Sequence, residues 1–246
     1  MRRRQAPFNP DNQRGRRIKQ RANRGASSSR AQQAGPEAAV DLPFGYLFNN
    51  NVHHHQEFMQ TFATRPLCKP KSLDTAFFAN EGFEIVPLLE MSHLRDLAEK
   101  NCPYSEVMVR AFYHNMSYIN GELRSRVCGV DILMTADDWN EVLGFDFTGA
   151  GGVRFDGDNI DRLEGFNREE AVNEIRRPVG NRPIFYVSQL TVNGRILFYV
   201  ITHILFPRAY NHSRVLEGDI PVIWAIRHGK PVNWRHYICW MMYKAK

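Results

Sequence analysis

The stretch 186–234, YVSQLTVNGRILFYVITHILFPRAYNHSRVLEGDIPVIWAIRHGKPVNW, constrains the fold more than any other part of the chain. Leu190, Ile196, Leu197, Val200, Ile201, Ile204 and Leu205 recur at three- and four-residue steps, the pattern of a helix that buries a wide apolar face. Ser188 and Thr191 each offer a hydroxyl to the free N–H groups of a first turn. Pro207 cannot continue the helix and restricts Phe206, so the helix should end there. Gly194 lies inside the pattern and costs about 1 kcal/mol against alanine. A polar loop, RAYNHSRVLEGD, separates this run from a second one, IPVIWAIRHG, which has Pro221 in its first turn and Gly229 as its stop. The two runs predict a pair of packed helices. The first is too short, and too interrupted by Thr202 and His203, to span a bilayer, so no membrane partner is expected.

A pair of helices needs a core to pack on, and 43% hydrophobic with 12% aromatic residues over 246 positions supplies one. Charge is distributed unevenly around it. Residues 2–30 hold ten Lys/Arg and one acid, Asp11, a net of +9; the other 22 basic and 25 acidic residues net −3. Residues 1–41 are Arg-rich and then Ser/Ala/Gln/Gly-rich, with Phe8 the only aromatic, and are expected to be a disordered basic tail. Within it, RGRRIKQR at 14–21 reads as a nuclear-import or nucleic-acid segment, the alternative being a solvating tail with no dedicated partner. Arg14, Arg16, Arg17, Lys19, Arg21 and Arg24 could neutralise phosphates by counterion release. No aromatic residue is interleaved to stack on bases, so sequence readout is not indicated. The import reading places the chain in the nucleus; without it, the cytoplasm. No apolar segment follows the arginines, which excludes a secretory signal. Cys68, Cys102, Cys128 and Cys239 are far apart, without a Cys-x-x-Cys pair, and read as ordinary reduced thiols.

Residues 42–72 read as a transitional linker with a short amphipathic piece at 56–62; His53, His54 and His55 read as part of a polar surface loop, the alternative being a metal site, which would need ligands from elsewhere because adjacent histidines point different ways. A globular domain over 73–246 follows. An extended piece is expected at 83–86, then a helix, HLRDLAEK, capped by Ser92. Pro103 and Ser105 open a stronger helix whose apolar face is Val107, Met108, Val109, Ala111, Phe112 and Met116. Asn120-Gly121 between strand-like flanks predicts a hairpin. Thr135, with Asp137 and Asp138 behind it, starts a helix that ends at Gly144. A Gly-rich insertion covers 146–165, and a helix with early glutamates and late arginines covers 167–176. The fold class is mainly α with a small β-hairpin: one helical globular domain behind the tail.

No reaction is legible. GAGG at 149–152 lacks the Lys-Ser/Thr of a phosphate loop, and Asp156, Asp158 and Asp161 lack the glycine of a calcium loop. Asp131 is the only acid placed as a strand-borne metal ligand for a nuclease would be, and a two-metal site needs partners it does not have. There is no Gly-x-Ser-x-Gly elbow. His203 reads as a partly buried, hydrogen-bonded side chain; His212 and His228 sit in or beside loops with no acid nearby in sequence. No catalytic residue, metal ligand or cofactor is assigned.

VMVRAFYHNM, VCGVDILMTADDWNEVLGF, LTVNGRILFYVITHILFPRAYNHSRV and IPVIWAIRHGKPVNW follow one another in an order and spacing that resembles the plant transposon protein domain, over 77–234. Phe198 stands where that family often has tryptophan, and Gly194 where alanine is usual. The resemblance implies origin in a plant retroelement-derived reading frame, not a chemistry. It also implies that HYICWMMYKAK, which stops inside a further helix, belongs to a truncated copy. Three functions are expected, in descending order. The first is a non-enzymatic helical interaction module with sequence-independent nucleic-acid contact through the tail. The second is a Gag-like self-assembly domain, using an apolar face of the two-helix unit at 192–227. The third is a metal-dependent transposase or nuclease built on Asp131.

Overall fold

A computed structural model describes residues 44–49, 51–145, 163–178 and 185–246. The chain divides into two units, 1–40 and 41–246, and every described residue belongs to the second. The expected disordered tail and most of the Gly-rich insertion lie outside the described residues. In chain order the helices are α1 (Val52–Thr61), α2 (Thr75–Asn80), α3 (Ile85–Met91), α4 (Arg95–Glu99) and α5 (Glu106–Asn115). The strands β1 (Ser117–Ile119), β2 (Glu122–Val127) and β3 (Val130–Met134) come next. They are followed by α6 (Ala136–Leu143), α7 (Arg168–Ile175), α8 (Val192–Val200), α9 (Asp219–Arg227) and α10 (Trp234–Ala245). The fold is mainly helical with one small antiparallel sheet, as the sequence leads one to expect.

Helix α9 is the centre of the core. Its run from Asp219 to Ile226 is buried on all sides, which its nearly unbroken apolar sequence permits. Pro221 lies in the first turn, where its missing N–H breaks no intrahelical bond. The helix closes at Gly229, left-handed at φ 55°, with Gly229 N–H donating to Ile226 O at 3.3 Å and Lys230 N–H to Ala225 O at 2.9 Å. Helix α8 packs against it. Of the two hydroxyls offered as its cap, Thr191 serves, accepting from Gly194 N–H at 3.1 Å. Beyond Val200 the helix widens into a π turn, Ile201–Leu205, and it ends at Phe206, ahead of Pro207.

Gly194 has a use the sequence does not disclose. Thr191 N–H donates to Ile175 O at 2.8 Å, so the start of α8 lies directly on the end of α7. A Cβ at position 194 would stand 3.0 Å from Thr191 Oγ1 and 3.2 Å from Ile175 O. The helix-propensity cost accompanies a close helix-to-helix approach.

The sheet has order β1-β2-β3, with Tyr118 opposite Leu123 and Ser125 opposite Ile132. Asn120 (φ 54°) and Gly121 (φ 84°) make the expected two-residue turn. A second one, Cys128 (φ 52°) and Gly129 (φ 76°), adds a third strand beyond the hairpin. Leu123 and Ser125 turn inward, and Ser125 Oγ donates to Phe112 O of α5 at 2.8 Å. Thr135 and Asp138 form a full capping box at α6, and Asn167 caps α7 through Glu169 and Glu170 N–H.

Three local expectations need correction. The piece 83–86 is not extended: α3 begins at Ile85 and takes Pro87 in its first turn, where proline is tolerated. Ser92 closes α3, its Oγ donating to Leu88 O at 2.8 Å, and does not cap the next helix. The three histidines are not in a loop. They begin α1, capped by Asn51, with His55 and Phe58 buried. That helix closes a second small core of Leu47, Phe48, Phe58, Phe62 and Ala111. There the His114 ring meets Phe48, Phe58 and Phe62 edge-on at 5.6, 5.7 and 5.5 Å.

Candidate functional site

Arg14, Arg16, Arg17, Lys19, Arg21 and Arg24 lie outside the described residues, as do GAGG at 149–152 and Asp156, Asp158 and Asp161. Asp131 is on β3, its side chain 81% exposed and 3.5 Å from Arg126 Nε. Among the described residues no three His, Cys, Asp or Glu side chains gather as metal ligands would. No described helix is long and apolar enough to cross a membrane.

Two concave surfaces stand out among the described residues. One, of about 430 Å³, lies between the Asn120-Gly121 turn and the start of α10. Its polar groups are largely committed: Glu122 accepts from Arg124 at 2.5 Å, Asn233 caps α10, and His236 Nδ1 lies 2.5 Å from Tyr118 OH.

The other is a groove of about 520 Å³ between residues 71–78 and the outer face of α8. Leu73, Phe78, Ile196, Val200 and Ile204 line it, with Lys71, Asp74, Val192, Arg195 and Tyr199 at its edges. The groove exists because α8 carries more apolar residues than its buried face uses. Leu197, Phe198 and Val200 go to the core, while Val192 (53% exposed) and Tyr199 (45% exposed) stay outside. The other wall is fixed by Leu73 N–H, which donates to Ala98 O at 2.8 Å, and by Asp74, which caps α2.

A chain of stacked side chains continues from the groove. Lys71 Nζ donates to Tyr199 OH at 3.2 Å and lies 5.2 Å above its ring. Tyr199 stacks on His203 at 4.3 Å, and the His212 ring meets His203 at 4.1 Å, tilted by 31°. Burial, then His212 and Lys71, push the His203 imidazole below the ordinary histidine range. His203 is partly buried and lies 3.0 Å from Thr202 Oγ1, consistent with its expected role. His228 does have an acid beside it, Glu174 at 3.4 Å, which folding brings from far along the chain.

Sequence reasoning missed the groove, although its signal was present. Val192, Ile196, Tyr199 and His203 recur at four-, three- and four-residue steps, a second stripe beside the buried one.

A family model described as "Putative plant retrotransposon-related domain" matches residues 90–246. No curated protein and no solved structure matches the chain. The match takes in the sheet, α6 to α10 and the whole α8–α9 pair that organises the core. The chain belongs to the plant retrotransposon-related domain family.

Proposed function

We propose that this chain is a non-enzymatic binding module of a plant retroelement-derived protein, which contacts nucleic acid through its basic tail without reading sequence. The charge separation carries this reading. Residues 2–30 have a net of +9, whereas the rest of the chain is mildly acidic. Several arginines of the folded unit are already engaged with carboxylates: Arg95 with Glu90 and Glu99, Arg110 with Glu106, Arg168 with Glu217, and Arg208 with Asp219. Phosphate contact would then rest on Arg14, Arg16, Arg17, Lys19, Arg21 and Arg24, each releasing counterions. The same segment would serve as an import signal and place the protein in the nucleus.

Deletion of residues 2–30 tests the reading. Retention of duplex DNA and RNA should be lost while far-ultraviolet circular dichroism is unchanged. Retention by the shortened chain would refute it. The self-assembly reading is weaker, because α9 spends its apolar residues in the core and leaves only the outer stripe of α8 for another surface.

A further inference from the structure

We propose that the groove between residues 71–78 and α8 docks an acidic amphipathic segment of another protein, independently of the tail. The floor is apolar: partly buried Phe78, Ile196 and Ile204 present its surface over buried Leu73 and Val200, and its volume of about 520 Å³ is that of a ligand-sized cleft. Exposed Val192 and Tyr199 with half-buried Ile196 between them, at helical spacing, make a wall against which a partner helix lays its own apolar face. The edges select the charge of the occupant. Lys71 and Arg195 stand there with no carboxylate partner among the described residues. The one acid at the edge, Asp74, caps α2, accepting from Phe77 N–H at 3.0 Å, so the edge carries two cations against one anion. Carboxylates flanking apolar knobs would complement this arrangement.

Two other occupants fit less well. A second copy paired groove on groove about a two-fold axis would gather Lys71 and Arg195 of both copies in one interface, cation near cation. A nucleic acid would offer phosphates but leave the apolar floor unfilled.

Selection of a displayed library of short random peptides on the full chain tests the proposal. Enriched peptides are then measured on a Lys71→Glu, Arg195→Glu chain and an Ile196→Trp chain, both keeping the same tail. Enriched peptides should carry apolar residues at helical spacing with a surplus of Asp and Glu. They should bind the charge-reversed chain about tenfold more weakly, because it turns two rim attractions into repulsions. They should also fail to bind the Ile196→Trp chain, whose added indole would fill the groove. Three outcomes overturn the proposal: no enrichment of such peptides, enriched peptides that bind the charge-reversed chain as tightly as the parent, or a parent dimer that Ile196→Trp dissociates. The first leaves the groove without this ligand, the second shows that the charged edge does not select the occupant, and the third assigns the groove to a second copy. The reversed side chains are exposed, so that variant keeps the test open if Ile196→Trp unfolds.

Discussion

Arg208 reaches back across its loop to hold Asp219 at the start of α9, with Nη1 2.9 Å from Oδ1 and 3.0 Å from Oδ2. Its other nitrogen donates to the carbonyls of Asn211 and Arg214, and Asp219 accepts from Leu216 N–H at 2.7 Å. Both side chains are largely buried, and burial pushes the Asp219 carboxyl above its ordinary range despite the arginine. One ion pair therefore closes the loop between the two principal helices. Removing one partner leaves the other buried and unpaired. Asp219→Ala should cost about 3–5 kcal/mol in urea unfolding. Asp219→Asn, which keeps an acceptor for Leu216 N–H, should cost less.

Acid should weaken the fold through two histidines. Burial among phenylalanine rings is the main cause that lowers the pKa of His114, with Lys246 and His54 adding to it and Glu57 opposing it. Burial likewise leads for His203. The folded chain then binds fewer protons than the unfolded one between the lowered values and the ordinary one near 6.5. The stability is fully present above that ordinary value and is lost as pH falls through the folded values. Asp219 acts in the opposite sense: with its pKa raised, it gains stability as pH falls toward the ordinary carboxylate range. Thermal midpoints should fall between about pH 7.5 and about pH 5.5, and a His114→Gln, His203→Gln chain should show a flatter profile.

Thiol labelling reads the core directly. Cys68, Cys102 and Cys128 are exposed, whereas Cys239 is buried on α10, and burial pushes its thiol up to about 12. Maleimide should label three cysteines of the native chain at neutral pH, and the fourth only after unfolding. Rapid labelling of Cys239 in the native state would contradict the packing of α10.

The stop of α9 admits a sharper substitution. At φ 55°, Gly229 occupies a conformation that strains other residues, and a Cβ there would meet Met91 Cγ at 2.5 Å. Gly229→Ala should destabilise by about 1–2 kcal/mol, the lower part from the backbone alone. Met91 is flexible and half exposed, so Met91→Ala in the same chain should recover part of the loss.

What could be read from the sequence was local and periodic. The α8–α9 pair, the helix start at Thr135 and the Asn120-Gly121 turn are each written in adjacent residues, and all three are in the structure. The errors came where one residue type suits two structures. Ile85 and Val86 before Pro87 look extended, yet proline in a first turn is compatible with a helix. Ser92 can cap either end, and only Trp234, whose Nε1 donates to Ser92 O at 2.9 Å, shows how that corner packs. The α8 wall of the groove is a local stripe, but the wall at 71–78 and the His228–Glu174 contact join segments far apart in the chain, so no local pattern could reveal those pairings.

Salt dependence of duplex DNA binding tests the central claim most directly, comparing the full chain with one carrying glutamine at Arg14, Arg16, Arg17, Lys19, Arg21 and Arg24. If the tail makes the phosphate contacts, the log–log slope should fall by as much as about 5, near 0.9 for each lost contact, whatever the duplex sequence. An unchanged slope, or an affinity that depends on the duplex sequence, would contradict the account.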